Sequence, residues 1–137
     1  MAKPSLYAGA GPSLFEAIKQ LADRDPFSVV AIGDIAAERL RQIEQEGWTP
    51  AHDDEEHKSG DLALAAAAYA KAPHTHRRRD APRPAWWPWH NDWWKPRSKH
   101  RNCVRAGALI VAELARWGRS ATATKSGDSA ADRKSTA

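Results

Sequence analysis

Only one stretch of this chain reads as a β-strand, FSVVAI at residues 27–32, and a lone strand cannot make a sheet. That constraint decides the fold class, because the remaining apolar residues recur at helical spacing. Residues 27–32 are expected as a short strand or an extended connector. Ser13-Leu14-Phe15-Glu16 has the form of a capping box. It opens a helix over about 14–23 with Leu14, Ala17, Ile18 and Leu21 on one face, ending before Asp25-Pro26. Asp34 is the expected N-cap of a second helix, about 35–46, with Ala36, Leu40 and Ile43 inward and Gly47 as its C′ residue. Ser59 is expected to cap a third, about 60–72, in which Leu62, Ala65, Ala66 and Tyr69 share a face and Pro73 ends the run. A fourth, about 99–117, carries Val104, Ala108, Val111 and Ala115 in one stripe, with Cys103, Ile110, Leu114 and Trp117 beside it and Gly118 as its stop. The expected fold is all-α: three or four helices around a small core, with a long Trp/Pro-rich crossover loop.

The 137 residues suit one domain, expected over 13–118. Residues 1–12 are expected to be flexible, and 74–84 (HTHRRRDAPRP) a mobile part of the crossover loop. Residues 119–137 hold no large apolar side chain and cannot offset their ordering entropy, so a disordered tail is expected there. The single cysteine, Cys103, excludes an internal disulfide and a Cys-based zinc site, and reads as a small core residue rather than a nucleophile. No apolar run approaches the length of a membrane span and MAKPSLYAGAGPS lacks a signal-peptide core. A cytoplasmic protein without a membrane partner is expected.

The net charge is only +4, but acids crowd residues 34–61 and bases crowd 71–105. Such asymmetry means that the halves face each other or that the basic half meets an anion. Within the acidic half, residues 52–57 (HDDEEH) offer possible metal ligands. His52 and His57 are five apart, which puts them on different faces of a helix, so the run is read as a solvated loop capping the next helix, with no metal assigned. The basic half holds Trp86, Trp87, Trp89, Trp93 and Trp94 within nine positions. Most of these rings are expected to fill a thin core, but neighbouring tryptophans point different ways. One or two should therefore line a groove where a base can stack while Arg or Lys meets phosphate.

Three function classes follow. The first is a non-catalytic module for a nucleotide-derived anion, with no cofactor. Arg39, Arg41 and Arg101 would meet phosphate, Trp48 with Trp93 or Trp94 would stack, Gln42 or Asp53 would bond a ribose or base edge, and Lys95 would add charge. The second is a magnesium-dependent nucleotide pyrophosphohydrolase of the MazG type, using Glu38, Glu44, Asp53, Asp54 and Asp61 as oxygen ligands. The third is a single-stranded nucleic-acid or protein interaction module, in which Arg78 and Arg83 of the basic loop would matter most. A homodimer is compatible with so small a folded part.

ERLRQIEQEGWTPAHDDEEH (38–57), WWKP (93–96) and RNCVRAGAL (101–109) together resemble a family of small phage and prophage proteins. Its signature runs approximately E-R-x-R-Q-x-x-x-E-G-W-T-P-x-H-D-D-x-H, then W-W-K-P and R-x-x-V-R-A-G-A-L. His57 falls one place later here, and the resemblance implies little about activity. Arg39, Arg41, Gly47, Trp48, Lys95 and Arg101 also look like the ryanodine-receptor-type (RyR) repeat, in which a helix ends in Gly-Trp and a later Lys-x-x-Asp-Arg opens another. The Asp of that element is missing here. The second resemblance implies binding of an ADP-ribose-like or cyclic nucleotide, and with a phage setting, sequestration of an immune second messenger.

Overall fold

A computed structural model describes residues 11–77 and 80–135, with side chains as far as residue 124. Residues 1–10 of the expected flexible N-terminus, positions 78 and 79 of the expected mobile loop, and 136–137 lie outside the described residues. So does the Arg78 of the nucleic-acid reading. The described residues are all-α. Five α-helices are described, in order: α1 Leu14–Arg24, α2 Pro26–Glu46, α3 Pro50–Glu56, α4 Asp61–Lys71 and α5 Lys99–Ser135, with a 3-10 turn at Asn91–Trp93 before α5.

α1 starts where the capping box places it: Ser13 Oγ accepts from the Glu16 amide at 3.2 Å. The strand-like residues 27–32 are helical. With no partner strand, their β propensity has nothing to pair with, and Pro26 at the first helical position pre-sets the helical φ. Asp25, not Asp34, therefore sits at the N-cap of α2, and its carboxylate accepts from the Ser28 hydroxyl.

α2 also turns a different face inward than its aliphatic residues suggest. Glu38, Arg39 and Gln42 are its buried residues, while Leu40 is exposed and Ile43 only half-buried. The polar groups go inside because they are paired there, which offsets their desolvation. α2 ends at Gly47, whose φ of +74° supplies the left-handed turn. The chain then re-enters a helix at once. Thr49 Oγ1 accepts from the His52 amide and Pro50 occupies the first turn, so the segment read as a solvated loop is instead α3.

The N-cap of α4 is Gly60, in the left-handed region, rather than Ser59. Its Leu62, Ala65, Ala66, Ala68 and Tyr69 pack on Ala106, Leu109 and Ala112 of α5, where small side chains let the two axes approach. Lys99 Nζ bonds the carbonyls of Ala70 and Ala72 at the C-terminal end of α4. Against the other side of α5 lies α2. Gly107 makes that approach close: a Cβ there would fall 2.7 Å from Ile35 Cδ1.

The crossover loop closes the end of the core. Trp87 and Trp94 are buried against Tyr69, with ring centroids 5.6 Å and 4.9 Å from it. Trp94 Nε1 donates to the Ala81 carbonyl at 2.7 Å. Asn102, fully buried at the start of α5, accepts from the Arg97 amide and donates to the carbonyls of Pro73 and Arg97.

Gly118 does not stop α5. Arg119 forks onto both oxygens of Asp54 at 2.8 and 2.9 Å, tying the next turn to α3. Cys103 is exposed rather than a core residue, and Ile110, Val111, Leu114 and Trp117 are exposed beside it. No residue of α1 is buried, and Phe15, Phe27 and Val30 also face outward. No helix of the described residues is long and apolar enough to cross a membrane.

Gly47 gives a direct check on the turn that delivers Trp48. Nothing lies within 4 Å of the position its Cβ would take, so Gly47→Ala adds backbone strain and no clash. Thermal unfolding should show a loss of about 1 kcal/mol, or about 4–8 °C in Tm, with Gly47→Asn losing less.

Candidate functional site

The site is built on one carboxylate. Glu38 has a fully buried side chain between α2 and α5, and arginines reach it from both helices. Arg41 binds it through Nε and Nη2, both at 2.8 Å. Arg101 Nη2 lies 2.7 Å from Oε2, and Arg105 Nε stands 4.0 Å from Oε1. Positions 38 and 41 are one turn apart on α2, as 101 and 105 are on α5, so each helix presents its charges as a stripe. Arg41 is shared with Glu46 at 2.8 Å. Arg105 in turn donates to the Lys95 carbonyl and stacks over the Tyr69 ring.

Burial alone would raise the pKa of Glu38. The hydrogen bonds of Arg41 and then the charges of Arg101, Arg41 and Arg105 outweigh it and hold the carboxyl below its ordinary value. Arg105 shifts downward, because burial disfavours its charged form more than its neighbours favour it. The hydroxyl of Tyr69 is raised by burial, and it both accepts from the Lys95 amide and donates to the Trp93 carbonyl.

Arg41, Gln42, Trp48, Trp93, Lys95 and Arg105 line one small cavity of about 10 Å³, room for about one water. Two of its lining atoms, Gln42 Oε1 and Arg105 Nε, are buried without a hydrogen-bond partner. Trp48 and Trp93, whose centroids are 5.4 Å apart, separate that cavity from a pocket of about 260 Å³. The larger pocket is completed by His52, Glu56, His57, Trp89 and His90. Glu38 and Arg41 are shared in the same way with an outer hollow of about 320 Å³, where Arg101 and His100 sit. The three spaces therefore share walls.

Of the residues expected to bind a ligand, Arg41, Gln42, Trp48, Trp93 and Lys95 meet in one cavity and Arg101 adjoins it. Arg39 and Asp53 go elsewhere: they pair at 2.7 Å, and Arg39 also bonds the Trp48 carbonyl. Trp94 is in the core. The carboxylates of the magnesium reading do not form one cluster. Glu38, Asp53 and Asp54 each lie against a different set of arginines, and Asp53 is the one of the five in a group of metal-ligating side chains found among the described residues. Sequence reasoning missed Arg105, Tyr69, Trp89 and His90. The i, i+4 spacing of Arg101 and Arg105 was the available signal for the first. Comparison of the chain with known family profiles, curated proteins and solved structures finds no match.

The depressed pKa of Glu38 fixes the sign of a pH effect. Its contribution is present above its ordinary value near 4.5 and is lost as pH falls through the lower folded value. Urea midpoints measured from neutral pH into this acid range should fall steeply. Glu38→Gln should start from a lower plateau and fall less.

Proposed function

We propose that this chain is a non-catalytic module that binds a nucleotide-derived anion. The carrying observation is the convergence of arginine and lysine heads beside an exposed aromatic face. Arg41, Lys95 and Arg105 bring three cationic heads to the small cavity against the carboxylates of Glu38 and Glu46. Arg101 adds a fourth from the outer hollow beside Asp34, and Glu56 lies at the tryptophan pocket. Lys95 Nζ lies 5.4 Å over the Trp93 ring, and Trp93 is more than a third exposed.

A base stacks in the pocket walled by Trp48, Trp89 and Trp93, and its phosphates meet Lys95, Arg41 and Arg101. The water-sized cavity is too small for the base, so the ligand lies along the outer spaces and reaches the orphaned Gln42 oxygen with a hydroxyl or through a water. Arginine–phosphate and stacking contacts of roughly 1–3 kcal/mol each amount to micromolar binding. In a phage setting, binding without turnover would serve to sequester an immune second messenger of the ADP-ribose or cyclic-nucleotide kind. The exposed apolar stripe of α5 and the coreless α1 are the surfaces a homodimer would use.

Calorimetry and tryptophan fluorescence with ADP, ADP-ribose and cyclic nucleotides test this reading. Micromolar binding is expected, with the ligand recovered intact in the presence of magnesium. Trp93→Ala and Arg101→Gln should each weaken it by roughly tenfold or more. Magnesium-dependent cleavage would move the assignment to a pyrophosphohydrolase. Steeply salt-dependent binding of single-stranded DNA without nucleotide binding would move it to a nucleic-acid module.

A further inference from the structure

In the wall of the tryptophan pocket lies a group of side chains to which the anion-binding reading gives no role. His52, Asp53 and His57 each bring one donor atom, and the three atoms lie within 4.8 Å of one another. Asp53 is fully buried and His57 nearly so. The five-residue spacing would separate the two imidazoles on a continuous helix. α3 ends at Glu56, however, and His57 sits beyond it at the C-cap with φ −118° and ψ 33°. That turn brings its ring back to 5.0 Å from His52, centroid to centroid.

We propose that His52, Asp53 and His57 form a binding site for a divalent transition ion of the zinc class. Arg39 Nη2 occupies Asp53 Oδ2 at 2.7 Å and leaves Oδ1 towards the imidazoles, as an outer partner orients a ligating carboxylate. Nδ1 of His57 lies 3.2 Å from Oδ1, and Nδ1 of His52 lies 4.0 Å from it. Ligands about 2.0–2.1 Å from a tetrahedral ion stand roughly 3.3 Å apart. The His57–Asp53 edge therefore already fits, and the two edges to His52 close with a rotation of its half-exposed ring.

A hydrogen-bond network alone accounts for the Asp53–His57 contact but not for His52 Nδ1. That atom is buried and has no hydrogen-bond partner. Two imidazoles and one carboxylate suit zinc, cobalt, nickel or copper better than magnesium or calcium. The three donors leave a coordination position open, and Glu56 and His90 in the lining of the same pocket supply a further donor or face a bound water. The site does not depend on nucleotide binding.

The test uses the full, untagged chain stripped with chelator and titrated with Zn²⁺ or Co²⁺ alone. One equivalent should bind, Co²⁺ should give the intense visible bands of four- or five-coordination, and Zn²⁺ should raise Tm. His52→Ala, at a position exposed enough to be tolerated, should lose roughly tenfold to a hundredfold in affinity and the Tm shift. A second pair, His74 and His76, has Nε2 atoms 3.2 Å apart on the surface, so His74→Ala/His76→Ala is the control and should bind as the parent does. Loss of binding in that control, equal binding by a folded His52→Ala, or a weak six-coordinate Co²⁺ spectrum in the parent would each overturn the proposal.

Discussion

A buried carboxylate holding three arginines is the contact on which the arrangement of this molecule depends. α2 meets α5 through Glu38, Arg41, Gln42, Arg101 and Arg105 as much as through apolar side chains, the close approach at Gly107 and Ile35 being the main aliphatic element. A paired buried charge adds little net stability, but removing one partner strands the others and is costly. Such a contact fixes register more firmly than aliphatic packing does, because only one rotation of α2 about its axis satisfies it. That rotation points Leu40 outward and Arg39 towards Asp53. It also sets the Gly47 turn so that Trp48 arrives against Trp93.

The existence of α1, α4, α5 and the second part of α2 was legible in the sequence because it rests on local signals, whereas α3 was read as a loop. The Ser13 cap, Gly47 as a left-handed stop and the alanine face of α4 were each read from a few neighbouring residues. The facing of α2 was not legible, because the rule that apolar residues point inward fails when polar groups satisfy one another across two helices, and those partners lie about 60 residues apart in sequence. The helical state of residues 27–32 was hidden for a related reason. Branched side chains favour a strand only where a partner strand exists, and Pro26 was a stronger local instruction.

The candidate site was half visible. A surplus of arginine near tryptophan pointed to Arg41, Trp48, Trp93, Lys95 and Arg101, which the fold places in adjoining spaces. Trp93 and Trp94 are chemically alike in the sequence, and only the 3-10 turn Asn91–Trp93 sends the first outward and the second into the core. Five of the seven tryptophans thus serve two ends. Trp87 and Trp94 fill core places that phenylalanine or leucine would otherwise take, while Trp48, Trp89 and Trp93 wall a pocket. The histidines at 52 and 57 were judged on ideal helical spacing, and the end of α3 one residue before His57 made that judgement inapplicable.

The central claim is that Glu38 and the α5 arginines form one energetic unit joining the two helices. A double-mutant cycle on Glu38→Gln and Arg101→Gln, followed by urea unfolding at neutral pH, addresses it most directly. The account predicts a coupling energy above about 1 kcal/mol, as contacting charges in one network give. Losses that add to within about 0.5 kcal/mol would mean that the two side chains act independently and would contradict it.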